Sequence, residues 1–369
     1  MLFNNSEGGH IVLMNIFVAV IPKEKEAIET YKHFLYKAIP YTIPFSHLEY
    51  DQVVWNNHSV LAASFSIHAS HVAIKKYAAS TDNQFCTFNG IPLLDDFYTS
   101  EQPWSSTFLQ KYREGKLDYQ STGGYYNLLI IDENKIKVCN SMIHTEPIYW
   151  SENRNCIVIG NRASLVYALA NKTLDFEYNL QAMISMCTIG WQAHDLVPFS
   201  NINLLPGGHF INIQPGKFEL RPYEPFEYNE LPLSEQPETE KLYNQIYDDL
   251  CHEFVKGSKI FKRFSNRLII NLTGGKDSRL AAAMCKEAGV EFSCVTSGGP
   301  EDRDVIVAKE VAEILGVEHK SSNPKISTSV PEVDIFEMLQ KQVIQGEGTS
   351  NVYDPCYPIR LKPNIQFAG

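Results

Sequence analysis

Leu268-Ile-Ile-Asn-Leu-Thr-Gly-Gly-Lys-Asp-Ser-Arg279 is a short apolar run that breaks at two glycines and passes straight into polar residues. The near-continuous apolar character of Leu268–Leu272 suits a strand covered on both faces, as in the middle of a parallel sheet. Arg279–Glu287 is then read as a helix, with Gly289 where a C-terminal cap belongs. Phe292–Thr296 is the next strand and Asp304–Leu315 the next helix, closed by Gly316. Val317–Lys320 is a short third strand. Repeated strand–helix units with short connections predict a doubly wound parallel sheet.

The loop between the first strand and its helix, Thr273–Ser278, is placed for chemistry. A helix start offers unpaired backbone N–H groups and the positive end of its dipole, which together hold an anion. Gly274 and Gly275 let phosphate approach the backbone and supply a positive φ if the turn needs one. The hydroxyls of Thr273 and Ser278 can donate to phosphate oxygens. Asp277 repels a bare polyphosphate but suits one carried with Mg²⁺, which favours carboxylate oxygens. Lys276 either adds a cation beside the phosphates or faces solvent. A plain Gly-Gly turn with an Asp cap is the alternative. The buried strand before the loop, and the βα unit after it, favour the nucleotide site. Neither GxxxxGK(S/T) nor GxGxxG is present.

Upstream of about Tyr228 the chain changes character. Ser59–Ile67, Tyr126–Asp132, Ile136–Cys139, Ile157–Ile159 and His209–Ile213 are β-branched or aromatic runs bounded by turn residues. Asp132–Lys135 and Pro215–Lys217 read as hairpin turns, and Lys23–Ala38 and Ser164–Ala170 as helices. Two packed sheets with helices outside are expected. Glu224–Pro237 is the linker candidate. After it Leu242, Ile246, Leu250 and Phe254 mark one face of an amphipathic helix. The division is therefore 1–228 and 229–369, the two-domain count that 369 residues suggest.

A net charge of −11 argues against a nucleic-acid partner, whose phosphates call for clustered Lys and Arg. Eight scattered cysteines with no CxxC pair, and no HExxH, argue against a zinc site and for reduced thiols in a cytoplasmic protein. The apolar run Ile11–Ile21 lacks a basic flank and a cleavage site, and is too short to span a bilayer. It is read as an opening core strand, and no membrane association is expected. His10, His58 and His209 have no ligand spacing and are read as structural or surface residues.

Asn271–Arg279 resembles the SGGxDS loop of the asparagine synthetase and β-lactam synthetase family, with Thr273 for the usual Ser and Lys276 for a residue that is commonly aliphatic. The resemblance continues through Cys294–Ser297, whose family counterpart holds adenine by backbone contacts, and through Asp304–His319. It implies ATP and Mg²⁺ as ligands, held by Leu272, Thr273, Gly274, Gly275, Lys276, Asp277, Ser278, Val295 and Thr296, with Asp277 on the metal. Further upstream, Asn89-Gly90 resembles the family's substrate-binding Asn-Gly, Gly160–Leu165 its strand-to-helix segment, and Leu204–Phe210 its LPPGH turn. The implied fold is an α+β Ntn-hydrolase-like glutaminase sandwich, followed by an α/β doubly wound ATP-pyrophosphatase sheet that is truncated at its C-terminal end.

Two departures limit the activity expected. Glutamine-hydrolysing relatives use an N-terminal Cys as nucleophile, whereas no Cys precedes Cys86 here. The start is either Met1 or Met14: Glu7-Gly8-Gly9 can be encoded by a ribosome-binding sequence upstream of Met14, and the polar prefix Asn4–His10 precedes a core strand. A start at Met14 exposes Asn15, which is no thiol, and N-terminal sequencing that found Met1 would refute it. On either start glutaminase activity is expected to be absent, with Cys86 and Cys139 buried and inert. Second, Asn364–Gly369 resembles the strand leading into a second acidic Mg²⁺-binding loop, cut at its first glycine. Gly346-Glu347-Gly348 follows a helix instead, and is read as an ordinary loop.

The resemblance implies an ATP-dependent, amide-forming ligase acting through an acyl-adenylate, without glutaminase activity. Its partners would be a small-molecule or peptide carboxylate and an amine, with a C-terminal polypeptide completing the site. A non-catalytic nucleotide-binding scaffold is the alternative. A tRNA-thiolating or NAD-synthesising enzyme with the same loop is a third reading, disfavoured by the strand-rich region and the acidic charge.

Overall fold

The computed structural model describes residues 15–24, 28–46, 49–67, 77–94, 97, 102–119, 122–142, 146–190, 193, 195–224, 239–263, 268–322, 343–344, 347 and 365–368. Among them lie two six-stranded antiparallel sheets and a four-stranded parallel sheet, an α/β arrangement of mixed type.

The first antiparallel sheet is ordered β10-β8-β9-β1-β3-β2. It comprises β1 (Asn15–Pro22), β2 (Tyr50–Asn56), β3 (Leu61–Ile67), β8 (Tyr149–Glu152), β9 (Cys156–Gly160) and β10 (Asn203–Leu204). The second is ordered β12-β11-β7-β6-β5-β4. It comprises β4 (Ala78–Ser80), β5 (Gln84–Leu93), β6 (Gly123–Asp132), β7 (Lys135–Asn140), β11 (His209–Gln214) and β12 (Lys217–Pro222).

Side chains of β1 alternate between two cores, as a pleated strand buried on both faces requires. Ile16, Val18 and Val20 pack outward against helices α1 (Ile28–Thr42) and α3 (Ala163–Asn171). Phe17 and Ala19 point inward to meet Leu129, Ile131 and Val138 of the second sheet. The far face of that sheet carries an aromatic cluster, Phe88, Phe97, Trp104, Phe108 and Tyr126, under helix α2 (Trp104–Arg113). Phe97 and Trp104 stack with centroids 4.6 Å apart. The layers thus run helix, sheet, sheet, helix. A further helix, α4 (Leu180–Ile189), begins at the cap Asn179.

The first helix is described over Ile28–Thr42, whereas the sequence reading ran it over Lys23–Ala38; Lys23 lies in a bend just after β1, and residues 25–27 are outside the described ones. The expected linker falls largely on residues 225–238, outside the described ones.

Helix α5 (Thr239–Ser258) follows. Its expected apolar stripe is present, but Leu242, Ile246, Leu250 and Phe254 are all exposed. The parallel sheet is ordered β15-β14-β13-β16, with β13 at Leu268–Asn271, β14 at Phe292–Ser297, β15 at His319–Ser322 and β16 at Ile365–Ala368. Its connecting helices are α6 (Lys276–Glu287) and α7 (Arg303–Leu315). β16 returns to pair with the other side of β13, so the strand order reverses there. The third strand lies further along than the Val317–Lys320 expected. The Val317 N–H bonds back to Ala312 at the end of α7, so the chain reaches the sheet only at His319.

Candidate functional site

Thr273–Ser278 sits at the C-terminal edge of the parallel sheet, beside the switch in strand order, where open α/β folds bind ligands. Leu272 is fully buried, and its N–H donates to Val295 O of β14 at 2.9 Å. Thr296, on that same strand, donates its hydroxyl to Leu272 O at 2.5 Å and lies 2.8 Å from His319 Nε2. Leu272, Val295 and Thr296 are therefore gathered at one point, and His319 of β15 joins them. Burial holds the His319 ring below its ordinary pKa, and the charge of Lys309 adds to this.

Within the loop, the Ser278 hydroxyl is buried and serves as a hub. It accepts from Thr273 N at 3.1 Å and lies 3.1 Å from Thr273 Oγ1. The Gly275 N–H donates to Thr273 Oγ1 at 3.1 Å. In this structure the two hydroxyls hold the loop's shape. Gly275 is the N-cap of α6 and no side chain caps the helix, so its first turn presents its N–H groups outward. Lys276 and Asp277 stand exposed in that turn. Neither loop glycine takes a positive φ. At Gly274 a Cβ would lie 2.9 Å from Asp304 Oδ1, so a side chain there would have to displace that carboxylate.

Asp304 is the residue the sequence reading passed over. From the first turn of α7 it accepts the Gly274 N–H at 3.0 Å. Consecutive parallel βα units set their helix starts side by side along one sheet edge, and that regularity could have pointed to it. Asp302, just ahead of it, accepts the Gly299 N–H at 2.6 Å.

The loop fits a phosphate chain: side-chain-free backbone, an uncapped helix start, and exposed Lys276 and Asp277. Among the described residues no group of three or more His, Cys, Asp or Glu is gathered to hold a metal ion. One carboxylate from Asp277 suits Mg²⁺, which takes few protein ligands when phosphates and waters supply the rest.

A second polar centre lies between the two antiparallel sheets, at the start of β1. Asn15 is fully buried. Its amide donates to Thr87 Oγ1 at 2.8 Å and Phe88 O at 2.7 Å, and accepts from Ser64 Oγ at 2.7 Å. Its backbone N–H donates to Asn89 Oδ1 at 2.8 Å, and its carbonyl accepts from Asn161 Nδ2 at 2.7 Å. Asn89 donates in turn to Glu146. Burial pushes the Glu146 carboxyl up to about 7, against the hydrogen bond from Asn89. At Gly90 the backbone turns to φ +87°, and a Cβ would fall 2.3 Å from Tyr125 O. No thiol belongs to this network: Cys86 and Cys139 are fully buried in the neighbouring core, and burial raises both thiols, Cys139 to about 12.

Glu347 lies in a turn, as the sequence reading expected, but its side chain carries a structural role that reading did not foresee. Its buried carboxylate accepts the Ala163 N–H at 2.9 Å and both the N–H and the hydroxyl of Ser164, at 2.7 and 2.6 Å. It also pairs with Arg162 Nε at 3.5 Å. It caps α3. Gly346 and Gly348 lie outside the described residues.

His58 is exposed, and His209 Nδ1 lies 2.8 Å from Gly207 O, while His10 lies outside the described residues. No helix among the described residues is long and apolar enough to cross a membrane.

No protein-family model matches this chain, and no curated protein does. Among solved structures it is similar to glutamine phosphoribosylpyrophosphate amidotransferase from B. subtilis, complexed with ADP and GMP. That likeness has 9% identity and a TM-score of 0.30, over 88% of this chain and 70% of the other. It is also similar to a structure described as the allosteric regulatory enzyme of purine biosynthesis. There the identity is 10% and the TM-score 0.31, over 96% of this chain and 90% of the other. At TM-scores this low the likeness carries no argument, and the architecture rests on the strand pairings above.

Proposed function

We propose that this chain belongs to an ATP-dependent, amide-bond-forming ligase of the asparagine synthetase type, working through an acyl-adenylate and without glutaminase activity. The observation that carries the reading is the Thr273–Ser278 loop: a buried parallel strand, two glycines and an uncapped helix start, braced by the Thr273–Ser278 hydroxyl contact. The α-phosphate of Mg·ATP would be attacked by a carboxylate, releasing pyrophosphate, before an amine displaces AMP. The chain's own residues would bind and orient. The first-turn N–H groups of α6 and Lys276 would meet the phosphates as charge develops. Asp277 would face the Mg²⁺, and the backbone of Leu272, Val295 and Thr296 would flank the adenine.

The four layers formed by the described residues between Asn15 and Glu224 are read as an Ntn-type glutaminase sandwich without a thiol nucleophile. Asn15 opens the central strand β1 between the sheets; its side-chain amide is spent on Thr87, Phe88 and Ser64, and its backbone N–H on Asn89. A carboxamide there cannot act as a thiolate does. An ammonia molecule or a substrate amine would then take the place of glutamine. A nucleotide-binding scaffold without turnover is the second reading.

The test is ATP–pyrophosphate exchange with a panel of carboxylates, alongside direct ATP binding. Exchange with any carboxylate supports the ligase, and binding without exchange supports the scaffold. A Thr273→Ala/Asp277→Ala double variant that binds ATP like the parent defeats both.

A further inference from the structure

The Gly274 N–H points where a phosphate oxygen would dock on a loop of this shape, and it is already engaged by a carboxylate. Asp304 reaches it at 3.0 Å from a position 30 residues further on. The contact is not helix capping. α7 has its N-cap at Asp302, and the Asp304 side chain turns from its own helix to the neighbouring loop. Its Oδ1 lies 2.9 Å from where a Gly274 Cβ would be, so the carboxylate packs directly on the bare backbone that glycine leaves open. Of the two cations on the loop's own helix start, Arg279 donates its Nε to Gly275 O at 3.2 Å, and Lys276 stands exposed.

We infer that Asp304 is a phosphate surrogate that occupies the Gly274 N–H and makes anion entry depend on a divalent cation. One backbone N–H cannot serve a carboxylate and a phosphate together, and two anions at contact distance repel strongly near a protein surface. A nucleotide arriving without metal meets that repulsion in full. One arriving with a divalent cation neutralises the phosphates and gives the displaced carboxylate a partner. Asp304 is thus a selectivity residue for the metal-bound form rather than a further cradle for phosphate. This deepens the nucleotide reading of the loop and rests on it.

Asp304→Asn and Asp304→Ala separate charge from shape. The first keeps an oxygen that can accept the Gly274 N–H, and the second removes it. Calorimetric titration of the full chain and both variants would use Mg·ATP, ATP with chelator, and inorganic pyrophosphate with chelator, after thermal melts show that the variants fold. We expect both variants to bind metal-free ATP and pyrophosphate about tenfold more tightly than the parent, with Mg·ATP changed by less than about threefold. An Asp304→Asn variant indistinguishable from the parent, with Asp304→Ala weaker for every ligand, would overturn the inference, leaving Asp304 as a brace for the loop. A parent that ignores Mg·ATP while Asp304→Asn gains pyrophosphate would defeat the nucleotide reading but uphold the anion gate. Silence from all three proteins defeats both.

Discussion

The Glu347 carboxylate holds Ser164 twice, through its backbone N–H at 2.7 Å and its hydroxyl at 2.6 Å, across 183 positions of sequence. A residue beyond the parallel sheet's third strand thereby completes a helix that packs on the first antiparallel sheet. Val343, just before it, is buried against Met186. Charged caps in buried settings are stronger than exposed ones, and here the partner Arg162 is itself buried. Removing the carboxylate strands the helix start and takes from the buried Arg162 guanidinium its paired charge, leaving it the contact to Ile344 O. Glu347→Ala should cost about 3 kcal/mol in urea unfolding, and Glu347→Gln about 1 kcal/mol, since the amide oxygen still accepts. A Ser164→Ala/Glu347→Ala pair should show clear non-additivity. Additive single losses would mean that the two residues do not act on one another.

Ser278 gives a second prediction. Its hydroxyl accepts from Thr273 N and also donates toward Gly275 O, at 3.3 Å, so a single buried group ties both ends of the loop. Ser278→Ala should cost about 1–2 kcal/mol of stability. If the loop takes nucleotide, ATP affinity should weaken as well, because the loop loses its fixed shape. Ser278→Thr keeps the hydroxyl but crowds the buried site, so it should fall between the two. Loss of affinity without any loss of stability would show that the hydroxyl contacts ligand rather than backbone.

How much of this was legible follows from where the deciding interactions lie. β13, β14 and helix α7 could be read because local signals agree: apolar runs, Gly-Gly before a helix, Gly316 as a left-handed cap. β5 could not. It carries Asn89, Gly90 and Pro92 inside its span, and only its pairing with β6 along the full length makes it a strand. β2 and β12 are half-exposed edges with weak patterns. Helix α5 was legible as an amphipathic period, yet period says nothing of what covers the apolar face, and its Leu and Ile residues stand exposed. The loop residues at the candidate site were contiguous and therefore visible. Asp304 and Glu347 act across 30 and more than 180 positions, and no local pattern encodes such contacts.

The thiols test the view that no cysteine is a nucleophile here. Among the described residues Cys86, Cys139, Cys156, Cys285 and Cys294 are buried, Cys187 is exposed and Cys251 is intermediate. A thiol-reactive chromogenic disulfide should modify Cys187 quickly and Cys251 more slowly under native conditions, and leave the buried thiols untouched until the chain unfolds. A glutamine-analogue electrophile should label neither Cys86 nor Cys139 by mass spectrometry. Labelling of either one would restore glutamine hydrolysis as a live activity.

Glu146 yields a pH dependence whose sign follows from its surroundings. Burial raises its carboxyl from 4.5 to about 7. The folded state therefore holds the proton more tightly than the unfolded chain does. Between those two values the folded protein binds more protons, so stability falls as pH rises through that window. It is highest below about 4.5 and level again above about 7 as far as this group is concerned. The penalty at pH 8 relative to pH 4.5 should be of order 1–3 kcal/mol, toward the lower figure because the side chain keeps some contact with solvent. Other carboxylates titrate in the same range, so the diagnostic quantity is the difference between parent and Glu146→Gln. The glutamine oxygen can still accept from Asn89, which isolates the charge. The variant should gain on the parent steadily from pH 5 to pH 7.5 in denaturant unfolding. A constant difference across that range would place the Glu146 carboxylate in a site that tolerates its charge, and the network around Asn15 would then not be a dry one.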